Sequence, residues 1–546
     1  MNKNFLIPFL VLFPFFNISI YSQEWIRMFE GDTNFFGKRV FEYYDRGYLI
    51  TGYKDTNSFN MFGWLYKSDI NGYRLWEKLV GDSQSSIQFS SLVILNNGDI
   101  TLIGERKNNG SHDPMIIKLN SCGEKQWCKI YDAINQYGWG QDIIALPDGG
   151  YMAVIMNWVE SEENKPVWLF RLNEDGEIIW QQYYPQDSMF WFASAIDLNF
   201  SFDSTVIITG DAYTPDTINP FPVYHRPMIV KVDLNGNAVF ELSWGREKGY
   251  LGAGFASILD NSGNIYTAVS HYRVQSPYGD SPGLLKTSLN GSQLFDTDLT
   301  DSTISGGAGA LTWFQDSTLL INGVWTGPNP GDTSICGIFK TDSIGTIMNE
   351  KNLFILYTSF SDAITTFDNK VVMVGGFGLQ YPFWQTMMIK LNSDLEYDSI
   401  YTTPIAYDSL CPYPIVSDTI PLDDCEVIVD IDEPMKNPEK TELKVFPNPA
   451  FQKITIELPR YLARRTGGQA DGRTGEFGIS TTTIYHQWKE VRLEVYDLFG
   501  RLKFSELIPQ SEKNIELDVS TWPGGMYVAR LVFMNDIVAT AKFVVE

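Results

Sequence analysis

The feature that most constrains this 546-residue chain is an internal repeat of about 54 residues. Each copy has an apolar strand, a basic residue, an Asn or Asp, a turn glycine and then an aromatic residue, as in the segment from Trp64 to Trp76. The basic residues of the seven copies, of which the last two are degenerate, are Lys67, Lys118, Arg171, Lys231, Lys286, Lys340 and Lys390. A repeat of this length indicates one supersecondary unit that buries its core only against its neighbours.

Each copy predicts four strands. Two apolar stretches joined by Asp/Asn-x-x-Gly favour a tight hairpin, in which the side chain bonds the turn amides and glycine takes a positive φ. Another strand precedes each hairpin, as at residues 98–104, and a segment rich in small residues precedes that strand, as at residues 254–256. Four strands of about five or six residues and their short connections use most of the repeat.

Such units arranged radially form a β-propeller with the small-residue strand innermost. We therefore predict a seven-bladed β-propeller over residues 23–402. An open solenoid, the alternative, needs polar end caps and has no relation between its ends. Here residues 25–32 resemble residues 76–82, the outermost strand of the first copy, and the last copy has the poorest version of that strand, at 396–402. We predict that residues 24–31 pair with the final blade and close the ring.

Composition agrees with an all-β fold and excludes some functions. The chain is 44% hydrophobic and 14% aromatic, too apolar for a disordered protein. Its richness in Gly, Trp, Tyr and Phe favours turn-rich sheet structure over helix bundles. The formal charge of −25 disfavours unaided binding to nucleic acid.

The N-terminus indicates export. Residues 1–22 contain Lys3, an apolar stretch at 5–16 and a short polar end, which is typical of a cleavable signal peptide. The alternative is a buried or membrane-spanning helix, but the stretch is shorter than the roughly 20 residues of a span. Pro8 and Pro14 weaken that alternative further. No later segment is long and apolar enough to cross a bilayer, so no transmembrane segment is predicted.

Cysteine usage suits an oxidising compartment. Cys411 and Cys425 are predicted to form a disulfide that closes a 15-residue loop, worth about 3 kcal/mol in the chain-entropy model. Cys122 and Cys128 are a weaker pair. No Cys-x-x-Cys occurs, and the four histidines are scattered, so no zinc site is predicted. The histidines are His112, His225, His271 and His486.

The chain beyond the repeats divides into a linker and a second domain. Residues 403–441 are rich in Pro and Asp and have little periodicity, which predicts an extended linker pinned by the Cys411–Cys425 bond. Residues 442–546 contain six short strands whose side chains alternate between inward-facing and outward-facing positions. This pattern predicts a small C-terminal β-sandwich. A loop insertion at 460–488 interrupts it, and its basic cluster at Arg464 and Arg465 is interpreted as a solvated loop.

Four sequence motifs in residues 442–546 are specific enough to indicate a family. They are Phe446-Pro447-Asn448-Pro449, Tyr496-Asp497-Leu498-Phe499-Gly500-Arg501, Trp522-Pro523-Gly524-Gly525-Met526-Tyr527 and Lys542-Phe543-Val544-Val545-Glu546. In this order they resemble the type A C-terminal sorting domain of the type IX secretion system. The tail departs from that family at Trp522, where the family usually has leucine, and at the 460–488 insertion. The sorting-signal residues that the resemblance identifies are Pro447, Asn448, Pro449, Tyr496, Asp497, Gly500, Arg501, Pro523, Gly525, Tyr527 and Lys542.

The resemblance implies the destination of the protein. Residues 442–546 would fold in the periplasm and be read by the type IX translocon of the outer membrane of a Gram-negative bacterium. A sortase would then remove them as the cargo is released or attached to surface lipopolysaccharide. Asp-Ser/Thr-apolar triplets resemble the O-glycosylation sites of these bacteria, although a turn-rich chain also produces them by chance. They include Asp187-Ser188-Met189, Asp216-Thr217-Ile218, Asp408-Ser409-Leu410 and Asp418-Thr419-Ile420.

Two functional classes remain for the propeller. The first is a binding module whose loops contact an extracellular glycan or protein, and the second is a secreted enzyme acting on polysaccharide or another extracellular substrate. The hairpin-plus-tryptophan unit resembles the tryptophan-docking repeat of pyrroloquinoline quinone enzymes but lacks its Thr-Gly, and the Asp-box spacing of sialidases is not met. We predict no catalytic residue, cofactor or metal site, and we favour binding.

Two segments are weak site candidates. Residues 296–301, with three aspartates, carry oxygens suitable for calcium, but a solvated loop is the simpler interpretation. The aromatics of residues 220–224 are suited to stacking on sugar rings, yet such residues more often pack a loop against its neighbour.

Overall fold

The computed structural model of the chain describes residues 25–546 except for several segments. These segments are 30–33, 56–60, 83, 109, 133–136, 159–166, 185–191, 216–222, 245–249, 274–279, 301–304, 315–316, 327–333, 354–357, 381–382, 429–440, 458–491, 498–500, 509–513 and 534–535. The predicted signal peptide and the basic cluster of the insertion lie outside the described residues. Two compact units are present, residues 1–434 and 435–546.

The strands of the first unit fall into groups of four antiparallel strands, which we call blades and number along the chain. Four of these groups are separate four-stranded sheets, blades 2 and 3 belong to one nine-stranded sheet, and blade 1 belongs to a five-stranded sheet. Blade 1 contains β2 (Phe35–Glu42), β3 (Tyr48–Asp55), β4 (Met61–Ser68) and β5 (Arg74–Val80). Blade 2 contains β6 (Ser86–Ile94), β7 (Ile100–Asn108), β8 (Ser111–Leu119) and β9 (Lys125–Tyr131). Blade 3 contains β10 (Tyr137–Ala145), β11 (Tyr151–Trp158), β12 (Val167–Leu172) and β13 (Ile178–Tyr184).

The next three blades repeat this order. Blade 4 contains β14 (Phe192–Phe200), β15 (Thr205–Pro215), β16 (Val223–Asp233) and β17 (Ala238–Ser243). Blade 5 contains β18 (Tyr250–Leu259), β19 (Ile265–Arg273), β20 (Asp280–Thr287) and β21 (Gln293–Asp298). Blade 6 contains β22 (Ser305–Phe314), β23 (Thr318–Thr326), β24 (Ser334–Thr341) and β25 (Ile347–Leu353).

The last sheet joins the two ends of the repeat region. Blade 7 contains β26 (Thr358–Thr365), β27 (Val371–Gln380) and β28 (Phe383–Leu391), and its fourth strand is β1 (Ile26–Phe29). β1 pairs with β28 in the register Ile26 to Ile389. The prediction that residues 24–31 close the ring on the final blade is therefore confirmed.

The first strands of the blades line the centre. Each packs on the first strand of the next blade, and β26 of blade 7 packs on β2 of blade 1, so the series is a closed cycle. The prediction of an all-β propeller is confirmed, whereas the number of seven blades, which follows the grouping of the strands by the sequence repeat, stays a prediction.

The recurrent basic residue links two turns of its own blade. It lies at the end of the third strand and, in every blade but blade 6, pairs with an aspartate in the turn between the first two strands. In blade 4 the amine of Lys231 lies 2.7 Å from Asp203, and in blade 7 that of Lys390 lies 3.1 Å from Asp368. Lys67 and Asp45 form the equivalent ion pair of blade 1, where both side chains are buried.

The recurrent aromatic residue links adjacent blades. Trp180, on β13 of blade 3, covers the turn glycine Gly236 of blade 4, and its indole N–H donates to the carbonyl of Leu234 at 3.1 Å. Gly236 has φ +81°, and a Cβ there would lie 3.1 Å from the indole. Trp127 covers Gly176 in the same way. The predicted position of the aromatic on the outer strand is thus confirmed, and its role is to join neighbouring blades.

Residues 403–428, which we call the strap, belong to the first unit. Within the strap, β29 (Asp418–Ile420) pairs in parallel with β5, and β30 (Glu426–Ile428) pairs in parallel with β9. The predicted linker of 403–441 therefore differs from the structure, because the first part of it adds strands to blades 1 and 2. Short apolar stretches such as Ile420-Pro421-Leu422, buried at 7% and 8% exposure, supply the driving force.

The predicted Cys411–Cys425 disulfide is wrong. Cys411 is bonded to Cys122 and Cys425 to Cys128, so the strap is tied twice to blade 2. A short loop costs the least entropy to close, which favoured the local pair. The docking of the strap overrides that preference, because it holds each cysteine of the strap against a cysteine of blade 2.

The second unit is a two-sheet sandwich. One sheet has the order β31 (Thr441–Glu442), β38 (Asp536–Val545), β37 (Gly525–Phe533), β34 (Arg492–Asp497) and β35 (Leu502–Leu507). The other has the order β32 (Lys444–Phe446), β33 (Lys453–Glu457) and β36 (Asn514–Asp518). Ile454, Leu493 and Phe543 are among the buried residues of its core. The predicted sandwich is confirmed, with β31 and β35 as strands that the sequence pattern did not indicate.

Among the described residues, no helix has the length and apolar character needed to cross a bilayer.

Candidate functional site on the upper face of the ring

The two faces of the ring differ in how regular their connections are. In an antiparallel blade, the turns after the first and third strands lie on one face, which we call lower, and the other connections lie on the upper face. Lower turns contain three to five residues, and most contain five. Upper connections contain between two residues, after β7, and eight, after β11. Variation in length is therefore concentrated on the upper face.

A cluster of polar side chains lies at the upper ends of blades 1, 2 and 3. Lys38 begins this cluster from a bulge in β2, with its amine 3.4 Å from the Ser90 hydroxyl. Glu105, in the second half of β7, lies beside it, and its carboxylate is 2.5 Å from Nδ1 of His112. The indole nitrogen of Trp139 lies 2.9 Å from the same Nδ1. We call Lys38, Glu105, His112 and Trp139 the upper cluster.

The upper cluster joins three blades because each member lies in the upper half of its strand. Glu105 is buried, whereas Lys38, His112 and Trp139 are half-buried. Burial lowers the pKa of Lys38, and the carboxylate of Glu105 opposes that effect. Both Trp139 and Glu105 meet the same ring nitrogen of His112, so the tautomer of His112 decides which of them it bonds.

Aromatic rings flank the lysine. Phe36 and Tyr53 stack with centroids 5.5 Å apart at an interplanar angle of 16°, and the Lys38 amine lies 6.0 Å from the Tyr53 ring. On the blade 2 side, the guanidinium of Arg106 bonds the carboxylate of Asp113 at 2.7 Å. The upper face of blades 1 to 3 thus combines ring faces with donors and acceptors, a combination typical of sites for polar ligands.

Below this cluster, charged side chains meet at the axis. Arg39 of β2 lies 3.5 Å from Asp197 of β14 and 3.9 Å from Asp362 of β26. Asp142 of β10 lies close enough to act on the same guanidinium. All three carboxylates follow bulges in the innermost strands of their blades. The axis is therefore crossed by one arginine among three aspartates.

Burial shapes the acidity of this axial group. Desolvation raises the pKa of Asp197 to about 7 and that of Asp362 to about 6, although Arg39 opposes both shifts. Burial alone would lower the pKa of Arg39, but Asp142, Asp362 and Asp197 hold it above its ordinary value. The arginine therefore stays charged, and two of its partners titrate near neutrality.

These aspartates also join neighbouring blades. The carboxylate of Asp142 accepts the backbone N–H of Leu198 in blade 4 at 2.8 Å. That of Asp362 accepts the N–H of Val40 in blade 1 at 2.9 Å. Because each of these carboxylates bonds the innermost strand of the next blade, we assign the axial group a structural role.

Within residues 296–301, the two described aspartates form neither a calcium site nor a solvated loop. Asp296 and Asp298 lie on β21, where Nε2 of His271 is 2.9 Å from Asp296 and Nδ1 is 2.6 Å from Asp298. Burial acts to lower the pKa of His271, but its bonds to Asp296 and Asp298 raise it overall. The two aspartates thus hold a buried histidine. No group of three or more His, Cys, Asp or Glu side chains among the described residues is arranged to hold a metal.

The other sequence candidates are only partly described. Residues 220–222 of the aromatic segment and two Asp-Ser/Thr triplets, at 187–189 and 216–218, lie outside the described residues, as does His486. The side chain of His225 is not described either. The remaining triplets, at 408–410 and 418–420, lie in the strap, where Ser409 and Thr419 are exposed.

In the second unit, two of the sequence motifs come into contact. The side chain of Asn448, within Pro447-Asn448-Pro449, accepts the N–H of Val544 at 2.9 Å and donates to the carbonyl of Lys542 at 3.3 Å. The first motif is therefore held against the terminal strand.

The other motifs form turns. The carboxylate of Asp497 accepts the backbone N–H of Arg501 at 3.0 Å and its Nε at 2.8 Å. The Tyr527 hydroxyl donates to the carbonyl of Pro523 at 2.7 Å. Gly500 lies outside the described residues. Trp522, the departure from the family, packs on the ring of Tyr527 with centroids 5.0 Å apart.

The sequence of this sandwich matches a family of known role. Residues 473–546 match the family described as a secretion system C-terminal sorting domain. The chain carries a type IX secretion sorting domain. Such a domain indicates export to the cell surface or the extracellular space, and it implies interaction with the secretion machinery. The match begins after 442, the predicted start, although strands from residue 441 onward belong to the same unit.

The ring is similar in fold to solved structures. An ulvan lyase of polysaccharide lyase family PL25 shares 8% identity, with 67% of this chain and 96% of that one covered and a TM-score of 0.44. YCF48 from Cyanidioschyzon merolae shares 9% identity, with 66% and 98% covered and a TM-score of 0.40. At these values the similarity concerns fold class alone. No curated protein matches the chain in sequence.

Sequence reasoning missed the upper cluster and the axial group. One signal was present: aligned by their bulges, the innermost strands carry Arg39, Asp142, Asp197 and Asp362 in a segment otherwise rich in small residues. Charged residues at the crowded centre of a propeller need partners. Glu105 and Trp139 gave no comparable signal, since their positions vary between copies.

Proposed function

We propose that the exported protein is a binding module whose upper face engages an extracellular glycan or protein. One observation carries this proposal: the connections that vary in length join strand ends on the upper face, whereas the lower face consists of repeated turns joined to each other and to the strap. Binding residues are commonly placed on variable connections held by a rigid scaffold.

The upper cluster supplies suitable chemistry. Trp139 and the Phe36–Tyr53 pair offer aromatic faces, which stack on the apolar faces of sugar rings and on apolar side chains. Lys38, His112 and Arg106 add donors and acceptors that fix the orientation of a polar ligand. We expect this part of the upper face to contribute most of the affinity.

The proposed delivery follows from the sorting domain. We infer that residues 442–546 are read by the type IX translocon and removed by its sortase, so that the ring acts outside the cell. The structure of the motifs supports this, because Asn448 and Asp497 organise the terminal strand and a turn of one compact unit.

Glycan and protein arrays probed with the secreted product test the binding proposal. Trp139→Ala and His112→Ala should each weaken capture of a retained ligand at least tenfold while leaving the melting temperature within a few degrees. Ile344→Ser is the matched control, since Ile344 is 68% exposed on a lower turn. Equal retention by all three variants would place the ligand elsewhere and contradict the upper-face assignment.

One observation favours a second candidate, an enzyme that acts on extracellular polysaccharide. Glu105 and His112 form a carboxylate–imidazole pair on the upper face, and such pairs serve as proton-transfer groups. A panel of polysaccharides incubated with the secreted product distinguishes the two. Turnover that is abolished by Glu105→Gln would replace the binding proposal, whereas retention of a ligand without turnover supports it.

A further inference from the structure

The ring has one seam, where blade 7 meets blade 1. At this seam the backbone N–H of Gly37 donates to the Thr386 hydroxyl at 2.8 Å, and that of Val40 donates to Asp362. The strand β1 also crosses it, because β1 pairs with blade 7 while the chain continues into blade 1. Every one of these contacts is noncovalent, so they alone would let the two ends of the ring separate.

The strap crosses the same seam from the other end of the repeats. It leaves blade 7 and first contacts blade 1, where the Tyr407 hydroxyl accepts the N–H of Ile70 at 3.0 Å. The indole of Trp76 donates to Asp408 at 3.1 Å, and Lys78 pairs with Asp418 at 2.8 Å. The strap thus binds blade 1 along its lower turn and outer strand.

Beyond blade 1 the strap is fixed to blade 2. Cys411 and Cys425 are bonded to Cys122 and Cys128, and Lys129 pairs with Glu426 at 2.8 Å. The two disulfides span 289 and 297 residues of sequence, so each closes a covalent loop that contains blades 3 to 6 and the strands β26, β27 and β28 of blade 7, but not β1.

We propose that the strap is a redox-controlled clasp that keeps the ring closed. If blade 7 moves away from blade 1, the strap that follows it must leave blades 1 and 2, and the disulfides prevent this. When both are reduced, β-pairing, ion pairs and apolar contacts remain, and the seam opens more often. Formation of each bond converts two thiols to one disulfide and passes two electrons and two protons to a disulfide oxidant of an oxidising compartment. The clasp therefore closes after the chain leaves the cytoplasm.

Amide hydrogen exchange on the folded, full-length protein tests the proposal. After reduction with a phosphine, exchange at the seam, in residues 26–29 and 386–389, should accelerate at least tenfold. Exchange in β15 and β16 of blade 4, remote from the seam in the order of blades, should change less than twofold. Faster exchange in β29 and β30 alone, with an unchanged seam, would show a strap that merely unpairs and would overturn the proposal.

Variants separate the contribution of each bond. In Cys122→Ser/Cys411→Ser and in Cys128→Ser/Cys425→Ser, one bond remains, so the seam should stay protected until a reductant is added. The control is Cys336→Ala, because Cys336 is buried and outside both disulfides, and it should respond to reductant as the parent does. Since serine variants can fail to fold, reduction of the already folded parent is the decisive arm. Peptide mapping that finds Cys411 bonded to Cys425 would also refute the clasp.

Discussion

The guanidinium of Arg39 in blade 1 lies 3.5 Å from the carboxylate of Asp197 in blade 4. The same guanidinium lies 3.9 Å from Asp362 in blade 7, so one side chain joins three blades across the axis. Charges removed from water in this way require partners, since an unpaired buried charge is costly. The axial group is therefore a place where single substitutions should have large effects.

Arg39→Met should destabilise the ring by about 3–5 kcal/mol, because it leaves buried carboxylates without their cation. Chemical denaturation followed by tryptophan fluorescence measures the change. Arg46→Met is the matched control: its side chain is 48% exposed and lies 3.9 Å from Glu42, so a change below about 1 kcal/mol is expected. Equal effects of the two substitutions would contradict the structural role of Arg39.

Asp197→Asn should flatten the pH dependence of stability. The pKa of Asp197 is raised to about 7 in the folded state, whereas an unfolded aspartate has a pKa of about 3.9. The folded state therefore binds the proton more tightly, and its contribution is complete below pH 4 and lost as the pH rises to about 7. The melting temperature of the parent relative to the variant should fall over that window. If the melting temperature of the parent relative to the variant instead rose over this window, the raised pKa of Asp197 would be contradicted.

His271→Gln should remove a second pH-dependent contribution. Asp296 and Asp298 raise the pKa of His271 above its unfolded value of about 6.5. The contribution is complete below that value and is lost as the pH rises through the folded pKa. Melting curves of parent and variant between pH 5 and pH 9 should therefore converge at the alkaline end. A constant difference would indicate that His271 acts through packing alone.

Trp180→Ala should cost about 3–5 kcal/mol, since it empties the contact between blades 3 and 4. Its neighbour supplies the control: Ile179 is 38% exposed, and Ile179→Ala should change stability by less than about 1 kcal/mol. Gly236→Ala should also destabilise, because φ is positive there and a methyl group would lie only 3.1 Å from the overlying indole. Stability that is insensitive to Trp180 would mean that the aromatic is not what joins the blades.

Asp497→Ala should weaken the sorting domain by about 1–3 kcal/mol, because it removes the carboxylate that organises the Arg501 turn. In a host with type IX secretion, the fraction of protein at the cell surface should fall. Lys453→Ala, on an exposed position of β33, is the control and should leave delivery unchanged. Normal delivery of the Asp497 variant would show that recognition does not depend on this turn.

Much of the architecture could be predicted because the repeat encodes local structure. A turn glycine such as Gly176, with φ +75°, and the tryptophan beyond it determine a hairpin and its outer strand within ten residues of chain. Ring closure was predictable for the same reason, since the strand at 26–29 resembles the outer strand of another copy. Local signals of this kind do not depend on the rest of the fold.

Contacts between distant segments could not be predicted. Cys411 meets Cys122 because the strap docks on blades 1 and 2, and no local pattern marks that route. The upper cluster likewise depends on three blades placing Lys38, Glu105 and Trp139 side by side. Such proximity follows from the packing of consecutive blades on each other, which a strand-by-strand interpretation does not contain.

The aromatic contact between blades has a direction, since the outer strand of one blade covers the turn of the one that follows. Blades 3 and 4 thus each bring both a ring that covers the turn of the next blade and a turn glycine that is covered by the preceding one, through Trp180 and Phe240 and through Gly176 and Gly236. A tandem duplication of such a segment would be compatible with its neighbours from the outset, while its upper connections remained free to diverge. The contact of Trp180 with Gly236 is therefore of a kind that a duplicated copy would reproduce at its new boundary without further substitutions.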